Sequence, residues 1–195
     1  MIKIAITGGI GSGKSVVSRL LKVFSYPVYD ADSRAKELMN RSELIRNRLI
    51  SLLGDAAYKG DKLDRSYVAS VVFSDRSLLQ KVNAVVHPQV KDDFKTWSSR
   101  QSSRVVFLES AILFESGFET VVDCVWLVWA PERLRIERAV KRDGTTAEMV
   151  EQRIKAQWPE EKKIERADAV IRNDDSRSLI EQVQQLLSAL SDDTK

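Results

Sequence analysis

The segment "GGIGSGKS" sets Gly8, Gly13, Lys14 and Ser15 in the spacing G-x-x-x-x-G-K-[ST]. Glycines there let the backbone turn through positive φ, so that successive N–H groups face one concavity, and the positive end of a following helix strengthens its pull on an anion. Such a segment cradles a phosphate: Lys14 reaches the outer phosphates as a point charge, and the Ser15 hydroxyl faces Mg²⁺. "YDADS" carries Asp30 and Asp32, either of which could take the proton of an attacking hydroxyl. Asp32 stands directly before the helical run "SRAKELM", where a carboxylate can equally serve as an N-cap. Glu109, which closes "RVVFLE", could hold Mg²⁺ directly or through water, or be no more than a carboxylate at a strand end; Glu115 is its nearest rival.

Cations able to meet a polyphosphate lie further on, in "PERLRIERAVKRDG". Arg135, Arg138 and Arg142 follow at i, i+3 and i+7 and share one helix face, as a closing lid would need. Glu132 and Glu137 interleave with them, the pattern of a solvated, ion-paired helix.

These groups need a frame. Ile2, Ile4 and Ile6 read as a buried strand before the cradle, and Val16, Val17, Leu20, Leu21 and Phe24 as a helix face after it. Strands are predicted at Lys3–Thr7, Val28–Tyr29, Arg104–Leu108, Val125–Trp129 and Ala169–Ile171, separated by helical stretches. That alternation describes an α/β chain, a five-stranded parallel sheet with helices on both faces. Asp30 and Asp32 then fall at the carboxyl end of a strand, the edge where open α/β sheets bind ligands. Between Asp32 and Gln101 the pattern is almost wholly helical, too much for one crossover, and reads as an inserted lobe. A charged helical stretch from Pro131 to Arg166 is broken at "DGTT", where Gly144 ends one helix and the threonines start the next. The expected organisation is a single domain over 1–195: a core of about 1–31, 102–131 and 167–190, a helical acceptor lobe of about 32–101, and a lid of about 132–166. The tail "SDDTK" is expected to fray.

Composition narrows the function. With 43% hydrophobic residues in 195, the chain can bury a proper core, which excludes disorder. Thirty-one basic residues against 28 acidic ones leave a net charge of +3, too balanced to point to nucleic acid. The single cysteine, Cys124, lies in the apolar run "CVWLVW" and reads as a buried thiol in a reducing compartment. No apolar run approaches the roughly 18 residues of a membrane span. A soluble cytoplasmic protein is expected, with no membrane, nucleic-acid or obligate protein partner. A GTPase would carry Asp-x-x-Gly and Asn-Lys-x-Asp, and neither spacing occurs. A nucleic-acid motor would need more domains and a continuous basic track. The tryptophans assign no chemistry: Trp126 and Trp129 read as core, Trp158 could shield a site or merely pack, and Trp97 is silent.

"IAITGGIGSGKS", "VYDAD", "VNAVVHP", the lid's R-x-x-x-R-D, "RIKAQ" and "ADAVIRND", in that order, resemble the dephospho-coenzyme A kinases from Ile2 to about Leu190. The resemblance implies a P-loop kinase fold and transfer of a phosphoryl group from ATP, with Mg²⁺, to the ribose 3′-hydroxyl of dephospho-coenzyme A. It makes Asp32 the base and substrate contact, and assigns ATP to Gly8 and to Gly11, Ser12, Gly13, Lys14, Ser15 and Val16. Arg138 and Arg142 become the lid cations, and Ser15 and Glu109 the metal-facing residues. His87, otherwise a packing or helix-boundary residue before a proline, would sit in the acceptor lobe, and Asn173 in the loop near adenine. Another P-loop nucleoside, nucleotide or small-metabolite kinase is the alternative. The chain departs from the family at Val16, where a threonine is frequent, and at "ESAILFE", where Asp-x-Pro-Leu-Leu-Phe-Glu is common. A third departure is "NDD", where Asn-Gly is common.

Overall fold

A computed structural model of the chain describes residues 1–73 and 75–192. In chain order the elements begin with β1 (Ile2–Thr7), α1 (Lys14–Val23), β2 (Val28–Asp30), α2 (Ala31–Arg41) and α3 (Glu43–Leu53). They continue with β3 (Tyr58–Lys59), β4 (Lys62–Leu63), α4 (Arg65–Phe73), α5 (Arg76–Ser99), β5 (Val105–Glu109) and β6 (Cys124–Trp129). The last are α6 (Glu132–Asp143), α7 (Ala147–Lys155), α8 (Glu160–Glu165), β7 (Ala169–Arg172) and α9 (Leu179–Asp192). The chain divides into two compact units, Met1–Tyr29 with Gln101–Lys195, and Asp30–Arg100.

The first unit is built on a five-stranded sheet in the order β2-β5-β1-β6-β7, with β1 parallel to β5 and β6, and β6 parallel to β7. β1 is central, so its residues from Ile4 onward are buried, as a near-continuous apolar strand must be when both faces are covered. Ile4, Ile6, Phe107, Trp126 and Val128 pack with Val17 and Leu21 of α1 and Val183 of α9. The five strands lie within one residue of their predicted bounds. Val16, expected on the core face of α1, is instead exposed. Cys124 is half-buried rather than buried, and burial together with the neighbouring Asp168 carboxylate pushes its thiol up to about 11. Gly144 ends α6 at φ +61, its N–H donating to Val140 O at 3.0 Å, and Thr146 accepts from Met149 N at 3.4 Å to cap α7. Of the tail, Ser191 and Asp192 continue α9, and 193–195 lie outside the described residues.

The second unit is helical around buried Ile45, Leu49, Val90 and Phe94. Arg34 clamps α2 to α5 through a bidentate pair with Asp93, Nε to Oδ2 at 3.0 Å and Nη2 to Oδ1 at 2.8 Å. Two details differ from the sequence reading. β3 and β4 form an antiparallel hairpin inside the region read as almost wholly helical; its strands are two residues long, too short for alternation to be visible. α5 runs 24 residues straight through Pro88, so His87 marks no helix boundary. Proline in mid-helix forfeits one i→i−4 bond and crowds the carbonyl four residues back, here that of Ala84. The buried face of Val82, Val85, Val86, Val90 and Phe94 holds the helix together across it.

Candidate active site

The loop between β1 and α1 turns at Gly11 (φ +76) and Gly13 (φ +99), where L side chains are strained. Space reinforces the conformation. A Cβ on Gly11 would overlap the backbone carbonyl oxygen of Arg135, and one on Gly13 would overlap Asn173 Nδ2. Lys14 opens α1 and is buried; its Nζ donates to Gly8 O at 2.9 Å and Gly9 O at 3.0 Å. The ammonium is thereby held against the loop that its charge must serve.

β1 pairs with β5 in a register that sets Ile6 opposite Glu109. The last residue of β5 therefore arrives beside the loop leaving β1. Ser15 Oγ donates to Glu109 Oε1 at 2.9 Å. A hydroxyl and a carboxylate are hard oxygen donors, and Mg²⁺ is usually held by one or two carboxylates while water and phosphate oxygens supply the rest. The pair fits such an ion. Glu115, the rival of Glu109, has a different place: its Oε1 accepts from Trp158 N at 2.7 Å and lies 3.0 Å from Lys163 Nζ.

Three side chains from the far end of the chain fasten the phosphate loop. Gln157 Oε1 accepts from Ile10 N at 3.0 Å, and its Nε2 donates to Ala111 O at 3.1 Å. Asn173 Nδ2 donates to Ser12 O at 2.7 Å, while its backbone N–H donates to Trp129 O at 2.7 Å. Arg135, with a side chain only 5% exposed, donates from Nη1 to Glu160 Oε2 at 2.8 Å and fills the space a Cβ on Gly9 would need. The arginine stripe thus separates. Arg138 Nη1 donates to Asn173 O at 2.9 Å and its Nη2 lies 3.3 Å from Asp175, whereas Arg142 is exposed and forks onto Asp143 at 2.7 and 3.0 Å. Hydrogen bonds from Arg142 and then Arg153 hold the Asp143 carboxyl well below the usual carboxylate range. Asn173 also lines an open cavity of about 560 Å³ with Val16, Leu20, Asp175 and Ile180, which accounts for the exposure of Val16.

In the other unit the two aspartates have different places. Asp30 is the N-cap of α2, accepting from Ser33 N at 3.0 Å and from Ser33 Oγ at 2.6 Å. Asp32 is exposed in the first turn of α2, so the capping role open to it in the sequence belongs to Asp30. His87 is half-buried in α5. Its burial, with the nearby Lys91 charge, lowers its pKa from the ordinary 6.5 and favours a neutral imidazole near neutral pH.

Trp158 packs. Its ring stacks on Phe114 at 5.8 Å between centroids, with the Arg166 guanidinium over both rings. The fully buried Lys163 pairs with Glu115, joining α8 to the segment after β5. Removing one member of a buried pair strands the other charge, at a cost of about 3–5 kcal/mol. Glu115 keeps the Trp158 N–H, so Lys163→Met should lie toward the low end, about 3 kcal/mol, in urea unfolding. A loss below about 1 kcal/mol would mean that the pair does not hold α8 in place.

Likeness to known proteins bears on this site. A family model described as dephospho-CoA kinase matches residues 2–178. A Bacteroides fragilis protein named dephospho-CoA kinase is 45% identical over 190 residues, covering 97% of this chain and 93% of its own. A solved Thermus thermophilus structure superposes with a TM-score of 0.85 at 39% identity, covering 100% of this chain and 98% of that one. A Campylobacter jejuni dephospho-CoA kinase, at 21% identity and a TM-score of 0.71 over 99% of this chain and 98% of its own, shares the fold.

Proposed function

Because this chain belongs to the dephospho-CoA kinase family and is therefore a kinase acting in the last step of coenzyme A formation, we propose how its own residues divide the work. The acceptor is the ribose 3′-hydroxyl of dephospho-coenzyme A and the donor is ATP. The observation that carries the assignment is the 2.9 Å contact of Ser15 Oγ with Glu109 Oε1 beside the Lys14 loop. Phosphoryl transfer asks little covalent chemistry of a protein; it asks for positioning and for neutralisation of charge on the equatorial oxygens.

Gly8 and Gly11 to Val16 hold the phosphates, with Lys14 as the point charge on the outer ones. Ser15 and Glu109 would hold Mg²⁺, which would offset the negative charge of the phosphates. Asp32 accepts the proton of the attacking hydroxyl: it is exposed, and the cap of α2 is already made by Asp30. Arg138 and Arg142 meet transferred charge from the lid. Residues 30–100 with His87 form the acceptor lobe, and the cavity beside Val16 and Asn173 suits a nucleoside base. A cytoplasmic location is in keeping with the lone Cys124; among the described residues no helix is long and apolar enough to cross a membrane.

The test is direct. Purified protein with ATP, Mg²⁺ and dephospho-coenzyme A should release ADP and add one phosphate to the acceptor by mass. A chelator should stop the reaction, and added Mg²⁺ should restore it. ADP release with no phosphate on the acceptor would overturn the acceptor assignment, and undiminished turnover in chelator would overturn the metal.

A further inference from the structure

We propose that Gln157 is a positioning residue for phosphoryl transfer, setting the phosphate loop in register with the exit of β5. Its amide is used at both ends, accepting from Ile10 N at 3.0 Å and donating to Ala111 O at 3.1 Å. Ile10 lies inside the loop that ends in Lys14 and Ser15, and Ala111 lies two residues beyond Glu109. One planar group therefore bridges the loop that leads into Ser15 and the exit of β5 just past Glu109, and those two side chains meet 2.9 Å apart. Gln157 itself lies two residues past the end of α7, so the lid segment supplies the bridge.

Donor and acceptor are both required. The Ile10 N–H needs an acceptor and the Ala111 carbonyl a donor, and an amide offers both within one rigid plane. The side chains that orient metal-facing and phosphate-facing groups typically change affinity or activity 10- to 100-fold when replaced. The inference rests on the reading of Ser15 and Glu109 as the metal-facing pair only for its Mg²⁺ arm; the turnover arm rests on the loop alone.

Gln157→Met keeps the length and removes both hydrogen bonds. We expect kcat to fall about 10- to 100-fold, with KM for dephospho-coenzyme A within about two-fold of wild type. The Mg²⁺ concentration for half-maximal rate should rise. Gln157→Glu supplies a second, pH-dependent readout. As a carboxylate it accepts from Ile10 N but sets charge against the Ala111 carbonyl; protonated, it donates there again. The ratio of its kcat to that of wild type should therefore climb as pH falls from 8 toward 5.5.

Turnover of Gln157→Met within two-fold of wild type would overturn the proposal. So would a fall in kcat matched by an equal loss of folded protein in thermal melts, together with a flat pH ratio for Gln157→Glu. Glu109→Gln, run alongside, separates the two readings: if it leaves the Mg²⁺ dependence unchanged, the metal assignment fails, and the kcat of Gln157→Met alone decides the role of Gln157.

Discussion

Asp32→Asn should fold as wild type, bind ATP, and turn over more slowly by about 10²–10⁴, the usual range for a lost general base. The structure makes this substitution a clean probe. The cap of α2 is Asp30, through Ser33 N and Ser33 Oγ, and an exposed acid in the first helical turn adds only about 0.3–1 kcal/mol through the helix dipole. Asparagine at position 32 removes the carboxylate and leaves the cap of α2 in place. Asp30→Asn keeps an oxygen able to cap and should be the milder variant in turnover. If Asp32→Asn phosphorylates dephospho-coenzyme A within a few-fold of wild type, the base is elsewhere and Asp30 is the first candidate. Single-turnover assays at saturating ATP, with a melting curve for each variant, make the measurement.

Lys14→Ala should reduce kcat by about 10²–10³, as loss of one preorganised electrostatic stabiliser does. A purely phosphate-directed lysine would be silent in stability, but this one is buried and donates to Gly8 O and Gly9 O. Its removal leaves those carbonyls to water and should lower stability by about 1–2 kcal/mol, roughly 2–8 °C in Tm for a chain of this size. The two effects separate by magnitude. Such a stability loss leaves nearly all the protein folded at 25 °C, so a kcat drop of two or more decades belongs to the chemistry. A variant retaining more than a tenth of wild-type turnover would exclude the proposed role of Lys14.

The sheet was legible because buried parallel strands are written as short apolar runs between helical periods; "IKIAIT" and "CVWLVW" admit no other use. The cradle was legible because its chemistry is local: eight consecutive residues contain the turn, the lysine and the hydroxyl. What surrounds it was not. The arginine spacing identified a helix face but not a depth along it, and only the fold shows that Arg135 is buried against Gly9 while Arg142 turns to Asp143. Asp30 and Asp32 were ambiguous because strand passes to helix without a loop, so the cap falls two residues earlier than the helical pattern suggests. Gln157 stood in the quoted run "RIKAQ" with no signal of its own; an amide takes meaning only from partners that sequence separates widely. Asn173 was assigned to the adenine side, and its amide nitrogen is committed to the carbonyl of Ser12.

Those partners are separated by 147 residues for Ile10 and Gln157 and by 161 for Ser12 and Asn173. Contacts so distant in sequence form late, since chain must be closed before they give any return. Although its motif is complete by Ser15, the anion-binding shape is finished only when Gln157 and Asn173 have been made and packed against it. Nucleotide capture thus comes under the control of folding itself: a nascent chain carries the motif long before it carries the site. The exchange protection of the Ile10 amide reports on whether the segment around Gln157, far along the chain, has packed.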